Sequence, residues 1–196
     1  MEKKIYLNKI QKIAFISLFF NMAYSGYHIL FGVITRSWWL FTIGIYFAIL
    51  SIIRFTVLKS KGKGRFIIQF TGSMLMVLSL PLVGTVVLAF LKDRGSVFHE
   101  IVMITIALYA FTKITIATIN LIKSRCSQSA KHIALRYISF ADAFVSMFSL
   151  QRSMLVSFGG MTETSIRIMN AATGGAVCGI VFLLGLRLMH HKSVKG

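Results

Sequence analysis

Apolar residues run along this chain in six blocks, each close to the roughly 20 residues that a helix needs to cross a hydrocarbon core of about 30 Å. The blocks are Ile13–Ile34, Trp38–Leu58, Phe66–Leu91, Ile101–Ile122, Ile133–Phe158 and Ile166–Leu188. Their unbroken apolar character differs from the short alternating segments of a transmembrane barrel. A helix closes its own backbone hydrogen bonds in lipid, so the pattern predicts an all-α polytopic integral membrane bundle of six transmembrane helices. The connections are short: Thr35–Ser37, Lys59–Arg65, Lys92–Glu100, Lys123–His132 and Gly159–Ser165. Short connections predict antiparallel neighbours, three hairpins forming a single domain over 1–196 with no soluble domain hanging from it.

Composition agrees. The 196 residues are 56% hydrophobic and 14% charged, with a mean hydropathy of +0.77. Soluble domains run near 25% charged residues, so an ordinary soluble domain is excluded. Two cysteines, Cys126 and Cys178, exclude a disulfide scaffold. The outer turns recur near residues 36, 96 and 162, a layout that resembles that of small bacterial acid-resistance membrane proteins. No motif is shared with them, so no residue role follows from the resemblance.

The net charge of +17 is unevenly placed. Lys3, Lys4, Lys9 and Lys12 precede the first block; Lys59, Lys61, Lys63 and Arg65 follow the second; Lys123, Arg125 and Lys131 follow the fourth; Arg187 lies at the end of the sixth, with Lys192 and Lys195 after it. The opposite side has Arg36, Lys92, Arg94 and Arg167. Basic loops stay in the cytoplasm, so both termini are expected there and the protein in a plasma or inner cell membrane. The loop charge suits contact with anionic lipid headgroups, and no aromatic-interleaved basic patch of the kind that binds nucleic acid accompanies it. The lysines, the run Ile13–Phe20 and Ala23-Tyr24-Ser25 also fit a cleavable signal peptide. The apolar run resumes through Ile34, which favours an uncleaved first span.

Inside a bilayer the informative residues are polar ones at depth, each costing about 2.5–3.5 kcal/mol at the centre. Asp142 is the sole acidic residue within any block. Lys113 lies as far before the fourth connection as Asp142 lies after it, so an antiparallel hairpin sets both near mid-bilayer. They are expected to pair, as a coupling-ion or proton site, as the floor of a polar cavity, or as a structural salt bridge. His28, Tyr24 and Asn21 share one face of the first helix, and Arg152 lies at a depth similar to that of His28 in the fifth. Together these six residues are the candidate solute or ion path. Arg54, Arg136 and Arg187 lie near cytoplasmic ends and are expected to snorkel to headgroups. Trp38-Trp39 is expected to anchor the second helix at the outer interface. Pro81 is the candidate hinge, because proline removes a backbone hydrogen bond and kinks a helix. Ala171, Gly175 and Gly179 form a small-residue row for close helix packing, inside the bundle or against a second copy.

No Cys-x-x-Cys, metal-ligand spacing, nucleophile elbow or phosphate loop is present, so neither a metal nor any other cofactor is expected. Three functional readings are compatible with the sequence. One is a small transporter or channel for a solute or ion, working through Lys113 and Asp142. The second is a non-catalytic scaffold, a regulatory or immunity-type subunit, with a protein partner or a second copy. The third, a lipid-acting intramembrane enzyme, is disfavoured by the single acid at depth.

Overall fold

In a computed structural model the chain forms six α-helices: α1 (Glu2–Ile34), α2 (Trp38–Lys59), α3 (Gly64–Leu91), α4 (Glu100–Lys123), α5 (Ala130–Ser157) and α6 (Glu163–Met189). The structure describes residues 2–60, 64–91, 100–123, 129–157 and 162–190. There is no strand among them. Lys61, Lys63, Lys92, Arg94, Arg125, Cys126, Phe158, Lys192 and Lys195 lie outside the described residues, as do the side chains of the lysines that open the chain. Each apolar block became a helix. Four helical stretches, Trp38–Lys59, Gly64–Leu88, Ala130–Leu155 and Glu163–Met189, are long and apolar enough to cross a membrane, and α4 has a shorter described apolar run, Ile106–Ile119.

The polarity of the bundle is inverted relative to a water-soluble protein. Phe19, Leu30, Leu80, Leu108 and Leu183 are each more than 60% exposed, whereas Asn21, Arg54, Asp142, Ser146 and Asn170 are each no more than 2% exposed. Apolar outside and polar inside is the arrangement a lipid solvent favours, because buried polar groups can satisfy each other while the exterior meets acyl chains.

Helix α5 is the most enclosed of the four spanning helices; it packs against α2, α3, α4 and α6. The main apolar core lies beside it, built from Leu40, Ile43, Phe47 and Leu50 of α2, Leu75 and Leu78 of α3, and Ile138 and Val145 of α5. Consecutive helices do not all pack as neighbours: among the described residues α3 lies mainly against α6 rather than against α4. Glycines explain this choice. A Cβ at Gly185 would stand 2.9 Å from the Gly72 carbonyl oxygen, and one at Gly72 would stand 3.0 Å from the Gly185 carbonyl oxygen, so the two backbones cross where neither has a side chain.

Of the two packings open to the small-residue row, inside the bundle or against a second copy, the first is not formed at its glycines. No described atom lies within 4 Å of a Cβ built at Gly175 or Gly179, and both are exposed while Ala171 is half-buried. The row faces out of the bundle, and the packing role falls to Gly185, Gly72 and Gly174. Gly185→Val is therefore expected to cost about 1–3 kcal/mol through overpacking, whereas Gly175→Val is expected to be tolerated. Melting temperatures of the two purified variants in detergent check this.

Pro81 lies within α3, between Ser79 and Thr85, whose hydroxyls donate to the carbonyls of Met76 and Leu82. The helical assignment runs through the proline without a break.

Candidate functional site

The inward positions of α2 follow a heptad: Leu40, Ile43, Phe47, Leu50, Arg54 and Val57 are all buried. Arg54 thus occupies a core register, one helical turn beyond Leu50, and it is only 1% exposed. This corrects the expectation that it snorkels to headgroups. Its guanidinium points inward because an acceptor waits there: Nη2 lies 3.2 Å from Asp142 Oδ2. Nη1 donates to Ser17 Oγ and Nη2 also approaches Ser139 Oγ at 3.4 Å.

Lys113 and Asp142 meet as their equal depth predicted, with Nζ 2.5 Å from Oδ1. The second carboxylate oxygen accepts from Asn21 Nδ2 at 2.8 Å as well as from Arg54. Asn21 is in turn oriented by Tyr109, whose hydroxyl donates to its Oδ1 at 3.0 Å. The Lys113 ammonium also lies over three rings, 4.5 Å from the centre of Phe47, 4.6 Å from Tyr109 and 5.6 Å from Tyr24. Ring faces attract a cation, most strongly where water is excluded. One carboxylate therefore joins four helices: α5 supplies it, and α1, α2 and α4 each donate to it.

The centre belongs to a longer polar column. On α5, Ser139, Asp142, Ser146, Ser149 and Ser153 follow a strict three-four spacing, which sets them on one face. The last four are at most 4% exposed. Ser17, Asn21, Tyr24 and His28 do the same on α1. The Tyr24 hydroxyl faces Ser149, its ring stacks on Tyr109 at 4.2 Å, and its carbonyl lies 3.1 Å from His28 Nδ1. Helix α1 reaches α4 and α5 through these long side chains, without the close backbone approach it makes to α2.

Of the six candidates read from the sequence, Lys113, Asp142, Asn21 and Tyr24 converge in the centre, and His28 lies one turn along α1 from Tyr24. Arg152 stands apart. Ten residues along α5 place it about 15 Å from Asp142 along the helix axis. It is 3% exposed, with its guanidinium 4.7 Å from the Trp39 ring centre. The tryptophan pair divides accordingly: Trp38 stays 68% exposed, as an interfacial anchor would, whereas Trp39 turns inward at 8%. That inward turn corrects the expectation of a double anchor. A cavity of about 330 Å³ opens at the α1–α2 turn beside them, lined by Gly32, Val33, Arg36, Ser37, Trp38 and Phe41.

Sequence reasoning missed Arg54, Ser17, Tyr109 and the serines of α5. Two signals carried them: the heptad register of Arg54 among the apolar positions of α2, and the three-four spacing of small hydroxyls in α5. Among the described residues no three His, Cys, Asp or Glu side chains come together as a metal site would require. Comparison with protein-family models, with curated proteins and with solved structures returned no match.

Proposed function

We propose that the chain is a six-span protein of a plasma or inner cell membrane with both termini in the cytoplasm, and that its polar column is the path of a small solute or ion. The observation that carries this reading is the column itself. Ser139, Asp142, Ser146, Ser149 and Ser153 extend over about 21 Å of α5, most of the thickness of a hydrocarbon core. Ser139, Ser146 and Ser153 donate to carbonyls of their own helix, and the oxygen lone pairs left at successive turns offer a polar species in transit a substitute for hydration. The cytoplasmic loop charge supports the orientation and favours anionic lipid around those loops.

A second reading is favoured by a specific observation. Both Asp142 oxygens are engaged, by Lys113, Arg54 and Asn21, which is how a structural pin is built in a membrane scaffold with a protein partner or second copy. The readings separate on Ser149→Val, which removes a hydroxyl of the column and leaves the charges in place. On the transport reading the variant is expected to fold as wild type and to lose about tenfold in flux in reconstituted liposomes, as an unhydrated barrier of about 1.4 kcal/mol requires. Unchanged flux at unchanged melting temperature would return the column to a packing role.

A further inference from the structure

We infer that the α1–α2 turn binds one anionic phospholipid, its phosphate held by Arg36 and Ser37 and part of an acyl chain seated in the cavity beside them. The site is separate from the polar column, so it stands or falls independently of the transport reading.

The cavity has its cause in the way α1 ends. The Ser37 amide donates to the Gly32 carbonyl at 2.9 Å and the Arg36 amide to the Val33 carbonyl at 3.3 Å, the paired bonds of a Schellman motif. Arg36 holds the left-handed position of that motif, at φ 50°. The residue after the left-handed one usually closes such a turn by an apolar contact with the last turn of the helix. Here that residue is Ser37 and its counterpart in α1 is Gly32, so no apolar pair fills the corner. Both line the cavity of about 330 Å³, together with Val33, Arg36, Trp38 and Phe41. Gly32 has no room for a side chain, because a Cβ there would stand 2.6 Å from the Phe41 backbone nitrogen.

The lining defines the ligand. A volume of about 330 Å³ is at the low end of the roughly 300–1,000 Å³ of small-molecule pockets, enough for part of one chain and too little for a helix. The walls are carbon: Val33 and the rings of Trp38 and Phe41, which meet edge to face with centroids 6.3 Å apart. Val33 and Trp38 are 62% and 68% exposed, so the cavity is open to the acyl chains around the bundle. Its polar groups are donors. Arg36 is exposed and makes no ion pair among the described residues. The Ser37 hydroxyl makes no capping hydrogen bond to α2. A guanidinium presents a planar fork that fits two phosphate oxygens. Carbon walls with a cation and a hydroxyl at the rim suit a ligand that is apolar along its length and anionic at its head. At the end of a membrane-spanning helix, an anionic phospholipid is that ligand. Glycine is the usual residue at a left-handed helix end, so the arginine is kept against the backbone preference, which a turn with no ligand does not require.

The test uses the full-length protein in nanodiscs. The chain has two tryptophans, Trp38 and Trp39, so Trp39→Phe leaves a single fluorophore, on the wall of the cavity. Phosphatidylglycerol and phosphatidylcholine with identical brominated chains, which quench tryptophan on contact, are titrated separately into unbrominated phosphatidylcholine. Phosphatidylglycerol is expected to reach half-maximal quenching at about fivefold lower mole fraction, the increment that one arginine near a headgroup confers. Arg36→Gly removes the guanidinium and places the favoured residue at φ 50°, so it is expected to melt at or above wild type and to lose the preference. Arg187→Gln removes the same charge from an exposed position at the C-terminal end of α6 and is expected to keep it. Ser37→Leu fills the corner with the apolar contact and is expected to lower maximal quenching by about half. Equal quenching by the two lipids would mean only the ordinary lipid annulus and overturn the inference. So would a preference lowered as much by Arg187→Gln as by Arg36→Gly, which would assign it to net charge, or undiminished quenching in Ser37→Leu, which would place the chain outside the cavity. A brominated fatty acid quenching at lower mole fraction than phosphatidylglycerol would replace phosphate by carboxylate and overturn the phospholipid assignment.

Discussion

Replacing Asp142 by Leu is expected to abolish accumulation of the folded protein, whereas replacing Lys113 by Met leaves its stability close to wild type. The asymmetry follows from the stoichiometry of the centre. Leucine at 142 leaves Arg54 and Lys113, 1% and 8% exposed, without a counter-charge. Stranding one buried charge costs about 3–5 kcal/mol, and here two like charges are stranded together. Asn21 Nδ2 loses its acceptor in the same step, adding about 1–3 kcal/mol for an unsatisfied buried donor. A membrane protein of ordinary stability does not absorb that sum. Methionine at 113 is different, because the carboxylate keeps Arg54 at 3.2 Å and the rings around residue 113 accept a flexible apolar chain of similar length. A neutral pair replaces a centre with one excess cation, so a change within about 1 kcal/mol is expected. The pair of variants is compared by yield of monodisperse protein and by melting temperature in one detergent. Equal losses for the two would mean that Lys113, not the carboxylate, is the keystone.

This result also changes the logic of charge-swap experiments. If Lys113 and Asp142 were an isolated pair, removing either would strand the other and removing both would restore stability. With Arg54 present, the double change strands Arg54, so rescue requires loss of all three charges.

Much of this arrangement was legible in the residues, and the reason differs from element to element. Six helices followed from six apolar blocks, because a helix closes its own backbone hydrogen bonds in lipid and the blocks lack the alternation of a barrel strand. The depth match of Lys113 and Asp142 followed from counting equal distances to one connection, since rise per residue is fixed. Arg54 escaped because depth was the wrong coordinate for it: five residues from the end of α2 at Lys59, it stands where an arginine can snorkel, and only its rotational position, among Phe47, Leu50 and Val57, turns it inward. In a helix as uniformly apolar as α2 the inward face has no polar contrast to mark it. The same ambiguity left the packing of α6 open. Gly175 and Gly179 have the spacing of a packing row, but so do other small residues of that helix, and the face chosen was decided by Gly72 on α3, a residue that spacing within α6 does not mention. Rotation about the helix axis, set by partners distant in sequence, is what the local pattern leaves open.

Sidedness is where the largest all-or-none difference is expected. The turn residue Thr35 and residues Ser129 and Thr162 at helix boundaries are exposed, so each can be replaced by a single cysteine in a chain with Cys126→Ser and Cys178→Ala. The basic residues cluster beside the Ser129 connection and the chain ends, while Arg36 and Arg167 are sparse neighbours of the other two sites. Short basic loops resist translocation, so Thr35→Cys and Thr162→Cys are expected to react with a membrane-impermeant maleimide on intact cells, and Ser129→Cys only in inverted vesicles, by about tenfold in each direction. The outcome reaches beyond orientation. If Thr35 and Ser129 lie on opposite faces, α1 and α5 run so that the cavity beside Trp38 opens outside with buried Arg152 toward that face, and Arg54 and Ser139 lie toward the cytoplasm with Asp142 between them. A buried arginine then lies toward each face of the membrane, Arg152 on the outer side and Arg54 on the cytoplasmic side. Labelling of Thr35 and Ser129 from the same side would break that order, because the three helices between them, α2 to α4, could not then alternate across the membrane, and the column would lose one of its two mouths.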